Sequence, residues 1–191
     1  MPSIYTLVTF WSWPVLFVIW MFGYIGLKKN VRRPQIRTYL GTTFLIILGF
    51  TFLFNSNMAP DFLGSSLTPA TVAFGLFGDV LCIAGILFAI WARLTLGTNW
   101  SGAIATVKEN HELMQKGPYQ IVRHPIYTGF FFAMLGTALT IGNVAAYLGV
   151  LLGLIAFLIR IPLEERVMTE QFPNAYPNYK QKTKGLIPWV W

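Results

Sequence analysis

Five apolar runs, at residues 4–27, 39–54, 69–92, 125–141 and 144–161, leave this chain few options. A helix crossing a membrane needs about 20 mostly apolar residues, within a range of about 17–25. The second and fourth runs sit near the short limit. The first could pass for a secretory signal, but no basic residue precedes it and its length suits a full span. Of the 191 residues, 55% are apolar and only 11% charged. An ordinary globular domain carries about 25% charged residues. The expected fold is therefore an all-α integral membrane protein with five transmembrane helices and additional cytoplasmic helical and loop segments.

The basic residues test that count. Lys28, Lys29, Arg32, Arg33 and Arg37 follow segment 1, and the loop after segment 2 holds no Lys or Arg. Arg93, Lys108, Lys116 and Arg123 follow segment 3, and the turn between segments 4 and 5 again holds none. Arg160 closes segment 5, and Arg166, Lys180, Lys182 and Lys184 lie in the tail. With five spans, all 14 basic residues fall on one side. By the positive-inside bias that side is cytoplasmic, with the amino terminus outside and the carboxyl terminus inside. The formal charge of +7 is then a topology signal rather than a nucleic-acid signal. Residues 93–124 and 162–191 are the large cytoplasmic parts. Each is too small to fold alone, so they are expected to pack on each other and on the membrane. Trp189 and Trp191 suit an interfacial aromatic belt. The chain has no internal repeat, which leaves one membrane-embedded domain over residues 1–191. A lone cysteine, Cys82, reads as core filler, and two histidines leave too few ligands for a bound zinc. No metal is expected.

Three polar constellations interrupt this apolar background. The first is "RHPIYTG". Pro125 fits the first turn of a helix, where its missing N–H costs nothing. Segment 4 should start there, with free backbone N–H groups facing the cytoplasmic boundary as an anion site. His124 and Tyr127, three apart, share a face. The same residues also read as an interfacial cluster, with Arg123 on lipid phosphate and Tyr127 in the aromatic belt. The second is "RIPLEERVMTEQF". Arg160 and Glu164 are neighbours if the helix continues through Pro162. Arg160 either snorkels to the headgroups or binds an anion at the bilayer edge. Glu165, Arg166 and Glu170 suit ordinary ion pairs. The third is Asp79 within segment 3. A carboxylate there costs about 2.5–3.5 kcal/mol on insertion scales. It is read as a structural hydrogen bond to another helix, with a functional role as the alternative. Soluble nucleotide-binding signatures such as G-x-G-x-x-G after a strand are missing.

"GPYQIVRHPIYTG", a span, a short turn, a second span, then "RIPLEE" and "FPNAYPNYKQKTKGLIPW" together resemble the isoprenylcysteine carboxyl methyltransferase family. Its members are integral membrane enzymes that use S-adenosylmethionine, and phospholipid N-methyltransferases are similar in the same region. The resemblance covers residues 96–188. It implies a cofactor pocket built from segments 4 and 5, the preceding cytoplasmic stretch and the tail. It implies cofactor contacts from His111, Glu112, Leu113, Met114, Tyr119, His124, Pro125, Ile126, Tyr127 and Glu164. Arg160 resembles the family's substrate-carboxylate arginine, its catalytic residue in this chain. The implied reaction is carboxyl O-methylation of a lipophilic substrate, an S-prenylated cysteine, at the bilayer.

Rival readings make distinct claims. Methylation of a lipid amine needs a deprotonation route, for which Glu165 or His111 is available. Methylation of a small thiol is a further alternative. A small transporter would use Asp79 and Arg160 along a polar path and bind no cofactor. A membrane sterol reductase with a similar carboxyl-terminal region would bind a nicotinamide cofactor.

Overall fold

The computed structural model describes residues 4–22, 36–55, 60–100 and 112–188. Five apolar helices form the bundle: α1 (Ile4–Phe22), α2 (Ile36–Phe54), α3 (Val72–Leu96), α4 (Pro125–Ile141) and α5 (Val144–Gln171). A short α6 (Ala175–Lys182) follows. No strand occurs among the described residues, only two isolated bridges. Helices within α2, α3 and α5 are long and apolar enough to cross a membrane, whereas α1 and α4 are shorter apolar helices.

The helices meet through small residues. A Cβ added at Gly85 of α3 would lie 2.6 Å from the Gly129 carbonyl of α4, and one at Gly78 would lie 2.7 Å from the Gly136 carbonyl. Such approach is how helices associate where lipid offers no hydrophobic drive between them. Gly49 and Gly149 play the same part between α2 and α5, with a Cβ at Gly49 lying 2.8 Å from the Gly149 carbonyl. Trp13 of α1 fills the centre, stacks edge-on against Phe50 and donates from Nε1 to Thr137 Oγ1 at 3.0 Å. Phe44, Ile47, Phe77, Val80 and Leu87 point outward and are exposed. Such a large apolar outer surface requires lipid rather than water.

Each end of the bundle is tied. At one end Leu67 N donates to Gly142 O at 2.7 Å and Val144 N donates to Ser65 O at 3.1 Å, so the α2–α3 connection caps the α4–α5 turn. Gly142 takes φ +81°, the left-handed cap that ends α4, and Asn143 caps α5 by accepting from Ala146 N. At the other end the tail is sewn to the start of α4. Arg123 N donates to Lys184 O at 2.8 Å, His124 N to Gly185 O at 3.0 Å, and Thr128 Oγ1 to Leu186 O at 2.6 Å.

Several boundaries differ from those read in the sequence. Helix α3 starts at Val72 because Thr71 caps it, and continues past Arg93 to Leu96. Arg93 does not end the span: it is buried, curls back to donate to Gly97 O at 3.0 Å, and stacks over Trp100. Helix α5 runs ten residues beyond the 144–161 segment: Pro162 costs one backbone bond on an exposed face, while Ile161 and Glu165 on either side of it are buried and hold the helix together. At about 1.5 Å per residue, that helix is far longer than a bilayer core of about 30 Å, and its last turns project from the bundle. Asp79 has its partner: Thr9 Oγ1 of α1 donates to Asp79 Oδ1 at 2.5 Å. The interhelical hydrogen bond was the expected structural reading.

Candidate active site

The site forms where the polar turn before α4 meets the projecting end of α5. The chain enters α4 through a tight turn at Gly117–Gln120, and Gly117 adopts φ +57° there. His124 is the residue before the helix, and Pro125 opens it. That pins the His124 ring over the first turn, parallel to Tyr127 with ring centroids 5.9 Å apart. Tyr127 in turn stacks on Phe157 of α5 at 4.7 Å. The three rings form a column between the two helices.

Glu164 and Glu165 sit on adjacent faces of α5 and do different things. Tyr127 donates its hydroxyl to Glu164 Oε1, and His124 Nδ1 lies 3.4 Å from Glu164 Oε2. Glu165 is buried in an ion-pair network, with Arg123 Nε at 2.7 Å and Lys180 Nζ at 2.5 Å. Arg123 also donates to the carbonyls of Lys180 and Thr183. This network locks α6 and the tail against the bundle. Arg123, which the interfacial-cluster alternative places on lipid phosphate, is held here by protein partners, and Glu165 is paired with two cations. Arg166 and Glu170 form the expected pair four residues apart, at 3.1 Å.

His124 is buried between the two glutamates. Its Nε2 lies 3.5 Å from Glu165 Oε1, an ion-pair separation beyond hydrogen-bond length, and has no hydrogen-bond partner among the described residues. Burial alone would lower its pKa, but the close approach and negative charge of Glu164 and Glu165 outweigh it and raise the pKa above its ordinary value.

A cavity of about 340 Å³ opens beside this column. Glu112, Leu113, Met114, Tyr119, His124, Pro125, Ile126, Tyr127 and Glu164 all line it, and so does Arg160. The sequence singled out every one of them. His111 lies outside the described residues, as do Lys28, Lys29, Arg32, Arg33, Lys108, Trp189 and Trp191. The sequence did not single out the apolar wall from the first two helices: Phe17 and Trp20 of α1, Ile46 and Phe50 of α2. Nor did it single out Tyr176 and Tyr179 of α6, or Asn99 and Trp100 after α3. The cavity is thus polar where α4, α5 and α6 meet, and apolar toward α1 and α2.

Arg160 stands at the junction and is only 4% exposed. It does not snorkel. Its Nε donates to Thr42 Oγ1 at 2.8 Å, and its Nη2 donates to Thr43 Oγ1 at 2.7 Å and to Tyr39 O at 3.5 Å. Helix α2 holds it too tightly for it to reach headgroups.

The chain is similar to known proteins in sequence and in fold. The sequence profile of the isoprenylcysteine carboxyl methyltransferase (ICMT) family matches residues 78–170. The protein-S-isoprenylcysteine O-methyltransferase of Saccharomyces cerevisiae is 31% identical over 175 residues, covering 87% of this chain and 73% of that protein. The chain belongs to the isoprenylcysteine carboxyl methyltransferase family. Protein-S-isoprenylcysteine O-methyltransferase B of Arabidopsis thaliana is 32% identical over 116 residues, covering 60% of this chain and 59% of that protein. A solved structure of the eukaryotic intramembrane Ras methyltransferase ICMT aligns with a TM-score of 0.56 and 24% identity, over 84% of this chain and 55% of that one. The chain therefore spans a little over half the length of the latter two. Like that neighbour it is helical, and its apolar helices make it an integral membrane protein.

Proposed function

We propose that this protein transfers a methyl group from S-adenosylmethionine to the carboxylate of a lipophilic substrate, a prenylated cysteine, within one membrane-embedded unit. The observation that carries the reading is a single cavity with a polar end, an apolar end and a buried arginine between them. A cavity of this kind suits a polar cofactor meeting a greasy acceptor.

The polar end suits the cofactor. Glu164 supplies a carboxylate for an amino group or ribose hydroxyls, and the first turn of α4 presents backbone N–H groups of the kind that bind a carboxylate. His124 Nε2 is a buried polar atom lacking a hydrogen bond among the described residues, and Tyr176 and Tyr179 offer aromatic faces at the same end. When bound, S-adenosylmethionine supplies a methyl carbon activated by a positively charged sulfur. Arg160 would hold the substrate carboxylate, which is ionised at neutral pH, so no side chain has to remove a proton. Phe17, Trp20, Ile46, Phe50 and Phe130 exclude water, and the work left to the protein is alignment. Amine methylation has less support, because Glu165 is held by Arg123 and Lys180, which leaves it only His111, outside the described residues. A transport path through Asp79 and Arg160 lacks it too, because Asp79 bonds Thr9 and does not line the cavity.

In the proposed orientation five helices cross the bilayer, with the amino terminus outside and the cavity opening to the cytoplasm. The alternation of basic residues supports it. Calorimetric titration with S-adenosylhomocysteine tests the pocket. His124→Ala, Tyr127→Phe and Glu164→Gln should each weaken binding by about 5- to 150-fold, since each removes a polar partner from a largely dry site. Wild-type affinity in all three would remove the pocket from the account.

A further inference from the structure

A guanidinium has five N–H donors in a fixed plane. In Arg160, the edge formed by Nε and Nη2 is spent inside the protein on the hydroxyls of Thr42 and Thr43. Nη2 also leans on the Tyr39 carbonyl, and the Tyr39 ring lies 5.5 Å from the guanidinium carbon. Nη1 makes no hydrogen bond among the described residues, although Arg160 lines the cavity.

Helix α2 thus occupies one edge of the guanidinium and leaves the other for a ligand. We infer that Thr42 and Thr43 are positioning residues, which fix the Arg160 guanidinium so that Nη1 meets the substrate carboxylate. This rests on the carboxylate-binding role proposed above for Arg160. Two threonines on one helix turn are suited to the task, because each hydroxyl can accept from the guanidinium while its own proton is spent elsewhere. Thr42 shows this directly: its hydroxyl donates toward the Thr38 and Tyr39 carbonyls, at 3.0 and 3.2 Å. Its lone pairs then face Nε. The helix carrying these threonines lies outside the 78–170 region matched by the family profile. The carboxylate-facing nitrogen is therefore set by a part of the chain that carries no recognised motif. Because Nε and Nη2 are occupied, the carboxylate meets Nη1 rather than the Nε edge.

The test is methyl transfer from labelled S-adenosylmethionine to a farnesylcysteine analogue by Thr42→Val, Thr43→Val, the double variant, and Thr42→Ser with Thr43→Ser. The double valine variant should lose about 10- to 100-fold in kcat/KM for the acceptor, the range for hydrogen bonds to a buried charge. Its affinity for S-adenosylhomocysteine should stay within about twofold of wild type, which also reports an intact fold, and the serine variant should recover most of the loss. If the double variant does not fold, Thr43→Val alone, at the less buried of the two positions, carries the test. Arg160→Ala separates the two claims. If Arg160→Ala abolishes transfer while the threonine variants turn over normally, the positioning role is overturned and the proposed function stands. If Arg160→Ala turns over normally, the carboxylate-binding role of Arg160 fails first. Equal losses of cofactor affinity and turnover in the valine variants, unrescued by serine, would mark a merely structural role and overturn the inference.

Discussion

At the scale of single residues, His124 and Arg160 show how burial turns ordinary side chains into a site. His124 is raised in pKa because two carboxylates outweigh the cost of burying its charge. A group with a raised folded pKa adds stability that is fully present below its unfolded value and is lost as pH rises through the folded value. Thermal unfolding of wild type and His124→Gln in detergent should therefore differ most below about pH 6.5, and the difference should shrink as pH rises above it. A difference independent of pH would mean that folding does not shift the pKa of the imidazole. For Arg160 the sequence supplied the residue but not its surroundings. The two threonines that hold it are more than a hundred positions away on a helix with no motif. A hydroxyl in an apolar helix usually satisfies itself on the preceding turn, so nothing local distinguishes Thr42 and Thr43.

At the scale of elements, the legible parts were those written in local chemistry. Pro125 and Gly142 bracket α4, and its bounds fall where they were expected. Charge misled elsewhere. Arg93 read as a span end because its burial depends on Trp100 and Gly97, and Pro162 read as a possible stop because the packing that carries α5 past it is tertiary. The seam between α3 and α4 was also silent, since glycines spaced for contact look like any others until the facing helix is known. That seam makes a prediction with its own control. Gly85→Ala puts a methyl 2.6 Å from the Gly129 carbonyl and should destabilise the bundle by about 1–3 kcal/mol, seen as a lower unfolding temperature. Gly41→Ala meets nothing within 4 Å and should be neutral or slightly stabilising. Equal effects would mean that α3 and α4 do not pack so closely.

At the scale of the whole molecule, the two ends of the bundle differ in chemistry. The end closed by Ser65, Leu67 and Gly142 has no basic residue among those described, while Arg37, Arg93, Lys116, Arg123 and the basic tail gather at the other. With Cys82 buried, a cysteine introduced at Ser65 should react with an impermeant reagent applied from the non-cytoplasmic side of the membrane, and one at Lys182 should not. Labelling of both from one side would break the five-span orientation. The central claim concerns the atom that receives the methyl group. Purified protein given methyl-labelled S-adenosylmethionine and a farnesylcysteine analogue should form a product whose label is released as methanol by mild alkali, because a carboxyl ester hydrolyses there. Label that stays on the acceptor through alkali, as on an amine or a thiol, would contradict the account.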